Sequence, residues 1–219
     1  MRVLYEDNHL IAVFKPPGIL TQADKSGDVN MMDEVKDYLK KKHGKKGNVF
    51  LGLMHRLDRP VRGVVLFAKT SKGASRLSSQ IRNNGITKIY HAIIEGVPEH
   101  REGALENYLT KDTGKRVAGL SDKRNGKRAE LFYRVIKSGK TSSLVEINLK
   151  TGKFHQIRAQ FSLFGHPILG DIKYGARGHL PGRVIALAAT GLSFETATTH
   201  EQKTISIPIP PEWDDLLNA

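Results

Sequence analysis

An aspartate set among arginines is the first residue here whose surroundings suggest chemistry. Asp58 lies in Met54-His55-Arg56-Leu57-Asp58-Arg59-Pro60-Val61-Arg62-Gly63. Guanidinium groups on both sides keep such a carboxylate ionised, and the proline and glycine that follow mark a sharp turn that offers it to a ligand. The plain alternative is a turn aspartate spent in surface ion pairs. A second cluster is Lys150-Thr151-Gly152-Lys153-Phe154-His155-Gln156-Ile157-Arg158. Its pattern predicts a helix that opens after Thr151 or Gly152, with Lys153, His155 and Arg158 in the first turns beside unpaired N–H groups. Such a cluster suits phosphate or a carboxylate partner; the alternative is a solvated basic helix start. Third is Lys88-Ile89-Tyr90-His91-Ala92, where strand alternation puts Lys88, Tyr90, Ala92 and Ile94 on one sheet face. Tyr90 can then offer its ring to a base, although a strand tyrosine is more often packing.

The elements that must carry these residues follow from local pattern. Val3–Tyr5 and Leu10–Phe14 are short β-type runs split by Asp7-Asn8, and Lys15-Pro16-Pro17-Gly18 then stops regular structure. Met32, Val35, Tyr38 and Leu39 repeat at helical spacing, and the basic run Lys40–Gly47 after them reads as a loop. Val64–Ala68 is an apolar strand, and Ala74, Leu77, Ser78 and Ile81 line a helix that closes at Asn83-Asn84-Gly85. Ile86–Val97 is expected to pair with Gly103–Thr110. Residues 111–130 form a basic connection with seven Lys/Arg against three Asp/Glu. Ala129–Ile136 and Ser142–Leu149 read as a hairpin, Ile157, Phe161 and Phe164 as a helix, and Ile185–Ala189 and Ile205–Ile209 as late strands. With no repeat, linker or composition break, the expectation is α+β: one domain over residues 1–219, with a mostly antiparallel central sheet flanked by helices and loops.

The 219 residues include 35 Lys+Arg against 22 Asp+Glu, a formal net charge of +13. A balance so basic marks a polyanion-facing surface or an interfacial membrane binder. At 39% hydrophobic the chain can bury a core, which excludes disorder as its main state. No run nears the roughly 20 apolar residues of a membrane helix, and the first residues carry acids where a secretory leader has its apolar stretch. The absence of cysteine removes disulfides, thiolate metal sites and thiol nucleophiles. A cytoplasmic protein that handles nucleic acid is the expectation.

Taken together, the segments resemble the RluA-type pseudouridine synthases of ribosomal and transfer RNA. The matching blocks occur in the family's order: Lys15-Pro-Pro-Gly18; His55-Arg-Leu-Asp58 with Gly63 and Ala68-Lys69; Lys88-x-Tyr90-x-Ala92. Thr151-Gly152 with His155-Gln-Ile-Arg158 comes next, then Gly165-His-Pro-Ile168, Gly170-Asp171 and Tyr174-Gly175. The likeness runs from about residue 3 to Pro211, so a bare catalytic domain without the small N-terminal RNA-binding domain of many relatives is expected. The resemblance implies the pseudouridine synthase fold and an isomerase that detaches uracil, rotates it and rejoins it through carbon 5, with no cofactor and no metal. It implies Asp58 as the ionised nucleophile, at ribose carbon 1′ or through another intermediate. Arg158 is implied as the arginine that pairs with that carboxylate, and Tyr90 as the tyrosine that stacks on the flipped-out base, either by its ring alone or with its hydroxyl also taking part in proton transfer.

Departures from the family's pattern bear on substrate more than on reaction. Val61-Arg62 replaces a usual Thr-Ser, Lys153-Phe154 a usual Arg-Thr, and Gln160 and Ala188 stand where histidines are common. His55, Arg56, Arg62, Lys88, Lys153 and His155 are the expected RNA-contacting residues around the site, with His55 and His155 also readable as structural. Two basic runs, one with Lys40, Lys41, Lys42, Lys45 and Lys46 and one with Lys123, Arg124, Lys127 and Arg128, are expected to grip RNA phosphates. The expected partner is RNA alone, bound by a monomer. A non-catalytic RNA-binding protein and a metal nuclease are the rival readings. The latter lacks any paired-histidine metal motif.

Overall fold

The computed structural model describes residues 1–44 and 46–218. In chain order its elements are β1 (Arg2–Glu6), β2 (Leu10–Lys15), α1 (Met31–His43), β3 (Gly52–Leu53), β4 (Arg62–Ala68), α2 (Ser71–Arg82), β5 (Thr87–Glu95), β6 (Glu102–Asp112), β7 (Val117–Ser121), β8 (Lys127–Ser138), β9 (Ser142–Leu149), α3 (Gln156–Leu163), β10 (Leu187–Glu195), β11 (Gln202–Ser206) and α4 (Trp213–Asn218). Residues gather into two compact units, Met1–Thr87 with Ala189–Ile207, and Lys88–Ala188 with Pro208–Ala219.

In the first unit β2 pairs antiparallel with β1 and β4, β3 adds to β4, and β11 pairs with β10. Leu10, Ala12, Val64, Leu66, Ala68 and Leu77 meet in one core with Leu192, Phe194 and Ile205. Apart from half-buried Phe14, the unbroken apolar runs of β2 and β4 are buried, the pattern of strands covered on both faces. Asn30 caps α1 by accepting from Asp33 N–H at 3.1 Å. Lys40–His43, expected in a loop, form the last turn of α1, which Gly44 closes at φ 60°. Lysine is a good helix former, and positive charge is favoured at a helix C-terminus. Lys45 of that run lies outside the described residues.

In the second unit the strands lie in the order β5-β9-β8-β6-β7, all antiparallel. The β8–β9 hairpin falls where alternation places it. The expected pairing of 86–97 with 103–110 does not form; β5 pairs with β9, and β6 with β7 and β8. Within the basic stretch 111–130, Val117–Ser121 is a strand that folds back on β6. Its short apolar content is hidden among charges, so local pattern alone does not expose it. Tyr133 meets Phe161 of α3 edge to face, with centroids 5.9 Å apart.

Candidate active site

The Asp58 segment is fixed from several sides within the first unit. Thr21 donates its hydroxyl to Leu57 O at 2.8 Å and accepts Leu57 N–H at 3.1 Å. Val61 N–H returns to Asp58 O at 3.0 Å, closing a turn over Arg59-Pro60. Leu57 and Val61 are buried on either side, which leaves Asp58 half-buried at the turn. His55 Nε2 accepts Leu66 N–H at 3.0 Å, so that nitrogen is committed to holding the loop on β4. Gly63 has φ 136°, and a Cβ there would stand 2.3 Å from Ala189 O. Only glycine fits such an approach.

Lys15, to which the sequence attaches no role, lies beneath this turn. Its side chain is wholly buried, and Nζ donates to the carbonyls of Pro16, Ile19 and Arg59 at 3.1, 2.6 and 3.2 Å. Burial pulls its pKa down to about 8; the carboxylate of Asp58 acts in the opposite sense, and Arg59 adds to the lowering. Gly18 N–H also reaches Arg59 O, at 2.8 Å, and Arg59 Nε returns to Gly18 O at 2.9 Å. The Lys-Pro-Pro-Gly block is thereby the floor of the Asp58 turn. A lysine directly before two prolines and a glycine is the signal for it: a strand end whose carbonyls lack local partners.

The second unit holds Tyr90, Lys88, Lys153, His155 and Arg158. Tyr90 is 7% exposed on β5, opposite Ile147 of β9. Burial lowers the pKa of Lys88, and the neighbouring charge of Lys153 lowers it further. Helix α3 begins at Gln156, later than expected, with His155 at its cap in a left-handed conformation, φ 50°. Lys153 therefore precedes the helix. The cause is Gln156, 3% exposed: its Oε1 accepts Lys153 N–H at 2.9 Å and the Thr151 hydroxyl at 2.8 Å, and its Nε2 donates to Glu130 O at 3.1 Å. The first of these bonds gives the Lys153 N–H a non-helical partner, and the other two tie Gln156 to Thr151 and to β8.

Arg158, 5% exposed, donates from Nε and Nη2 to the two carboxylate oxygens of Asp171 at 2.6 and 2.8 Å, and Asp171 is 1% exposed. The fork holds the guanidinium plane and charge where neither can rehydrate. Asp171 belongs to the Gly170-Asp171 block, and its role as the grip on Arg158 is invisible in the sequence pattern. Gln160, in a usual histidine position, donates to Leu105 O, Asn107 Oδ1 and Ala129 O at 2.9, 2.9 and 3.2 Å. It ties α3 to β6 and β8 as a buried connector.

Among the expected phosphate contacts, Lys123, Arg124 and Lys127 are exposed around a turn that Asp122 caps, accepting the N–H groups of Arg124 and Asn125 at 2.7 and 2.9 Å. Arg128 differs. It is bidentate to Glu106, at 2.9 Å for each contact, and lies 3.0 Å from Glu130. Arg56 is exposed and Arg62 half-buried at the start of β4.

A family model described as RNA pseudouridylate synthase matches residues 9–163. The chain belongs to that family. As an RNA pseudouridylate synthase it is similar to the uncharacterized RNA pseudouridine synthase YlyB of Bacillus subtilis, 28% identical over 98% of this chain and 71% of the relative. The ribosomal large subunit pseudouridine synthase C of Buchnera aphidicola is 32% identical over 100% of this chain and 70% of its own length. Synthase D of Zymomonas mobilis is 34% identical, over 80% of this chain and 56% of its own. Among solved structures, human RNA pseudouridylate synthase domain containing 4 superposes with a TM-score of 0.80 at 26% identity, over 97% of this synthase and 90% of that chain. The synthase thus has the pseudouridine synthase fold, a mostly antiparallel sheet flanked by few helices. Its reaction is the isomerisation of uridine in RNA.

Proposed function

We propose that the synthase converts particular uridines of ribosomal or transfer RNA to pseudouridine, with Asp58 as nucleophile and the uridine flipped out of its RNA. The reaction breaks N1–C1′ and forms C5–C1′; C5 gives up a proton and N1 gains one, so atoms balance without a co-reactant. Asp58 must be ionised for this role, and the buried Lys15 ammonium, whose charge interacts with it, supports that. As the family resemblance implies, Tyr90 is the stacking residue for the displaced uracil and Arg158 the arginine that serves the reaction. Flipping costs a few kcal/mol, which contacts to the RNA backbone offset, and a net charge of +13 favours such contacts. The ribosomal choice draws support from the names of the Buchnera and Zymomonas relatives.

The observation that carries this reading is the Asp58 turn itself: a half-buried carboxylate on a rigid loop, anchored to the carbonyl of its neighbour Arg59 by the buried Lys15. Asp58→Asn keeps the shape and removes the charge. RNA affinity should stay within about twofold while pseudouridine formation falls by about a thousandfold or more. Turnover near the native rate would reject Asp58 as nucleophile. Mapping pseudouridines in the cell's ribosomal and transfer RNA, with and without the gene, identifies the uridine.

A further inference from the structure

One short turn holds Arg158 on two sides. Asp171 takes the edge of the guanidinium, and the ring of Tyr174, three residues on, lies against it with the guanidinium carbon 4.9 Å from the ring centroid. Tyr174 N–H donates to Asp171 O at 2.9 Å, and the turn is bounded by Gly170 at φ 87° and Gly175 at φ 94°. A Cβ on Gly170 would stand 2.8 Å from Val184 O, so the turn has little freedom to shift.

The hydroxyl of Tyr174 is what this packing does not require. It accepts Ala118 N–H of β7 at 2.7 Å and is bonded to His155 Nδ1 at 2.9 Å. His155 has the left-handed backbone noted above, a conformation that costs a non-glycine residue about 1 kcal/mol or more. Its ring stacks on Phe154 with centroids 3.8 Å apart and planes 18° from parallel, and the ammonium of Lys111 lies 4.7 Å from the Phe154 centroid. A line of contacts therefore runs from β6 and β7 through Phe154, His155 and Tyr174 to Arg158, all within the second unit. Phe154 extends the line to Lys111.

We propose that Tyr174 is a positioning residue for Arg158, with its hydroxyl anchored by β7 and His155. A carboxylate fork fixes the guanidinium in its plane but resists tilting only as firmly as the carboxylate itself is held. A ring against the face blocks the tilt, provided the ring cannot swing, and the two hydroxyl bonds prevent swinging. The β6–β7 hairpin thereby becomes the outer support of an active-site arginine, where a misplacement of about 1 Å can cost a hundredfold in rate. This assignment rests on the role of Arg158 proposed above.

Tyr174→Phe leaves the ring and removes only the anchor. Two readouts are needed in the full chain. The first is hydrogen exchange at Arg158 Nε–H, followed by NMR in the free protein; it should quicken at least about threefold in Tyr174→Phe. The second is single-turnover pseudouridine formation at saturating RNA, which should fall about tenfold with the RNA dissociation constant within about twofold. Added to Arg158→Lys, the same change should cost less than a further factor of about two, since it acts through the arginine. Native exchange, a native single-turnover rate, or a loss fully multiplicative with Arg158→Lys would each overturn the assignment. If the native chain formed no pseudouridine in any RNA, the parent reading would fail. The exchange measurement would still decide whether Tyr174 holds Arg158.

Discussion

Lys15 donates to the main-chain carbonyl of Arg59 at 3.2 Å, joining the end of β2 to the residue that follows Asp58. Because the ammonium is wholly buried and its pKa is lowered to about 8, the folded chain gives up this proton before the unfolded chain does. Below pH 8 both states are protonated and the cost of the buried charge is fully felt. Between about pH 8 and pH 10.5 the unfolded state binds more protons, so stability rises with pH, by about 3 kcal/mol over the whole window. Lys15→Met removes this titration. Urea unfolding at about pH 7 and about pH 10 should show the native chain gaining on Lys15→Met by roughly 2–3 kcal/mol. A pH-independent difference would show that Lys15 is not titrating there.

Asp171→Asn should be among the most damaging single changes in the second unit. It strips the charge from a partner that is 1% exposed and deprives the buried guanidinium of Arg158 of that carboxylate. A loss of about 3–5 kcal/mol is expected in denaturant unfolding. Arg158→Lys keeps a charge but loses the fork, so turnover should drop about a hundredfold with little change in RNA affinity. Native turnover in Arg158→Lys would remove any geometric role for that arginine.

Tyr90 separates stacking from proton transfer. Tyr90→Phe keeps the ring and should retain turnover within about tenfold, whereas Tyr90→Ala should lose nearly all of it. Equal losses in the two variants would move the role to the hydroxyl.

Lys123 and Lys127 flank the exposed turn before and at the start of β8, whereas Arg128 is engaged with Glu106. Lys123→Gln with Lys127→Gln should weaken RNA binding and flatten its salt dependence by about one unit of slope for each phosphate no longer neutralised. The single-turnover rate at saturating RNA should not change. Arg128→Gln should act on stability, and only slightly, because the pair with Glu106 is exposed and solvent screens it. An unchanged salt slope in the double variant would place the RNA track elsewhere.

Elements with a local signal are legible in the amino-acid order alone. Apolar runs and alternation locate β2, β4, β8 and β9, helical spacing locates α1, and a block of motif residues locates Asp58, Tyr90 and Arg158. Which distant groups satisfy one another is not legible there. Helix α3 starts late because the side chain of Gln156 bonds the Lys153 N–H and the Thr151 hydroxyl before it, an alternative that periodicity cannot register. Strand β7 is hidden in a basic stretch because its partners are supplied by β6. The supports of the site are longer-range still: Lys15 reaches 44 residues to Arg59, and Tyr174 reaches 56 residues to Ala118. Each is a buried polar group whose desolvation demands a partner, and only the folded chain decides which residue is near enough to be one.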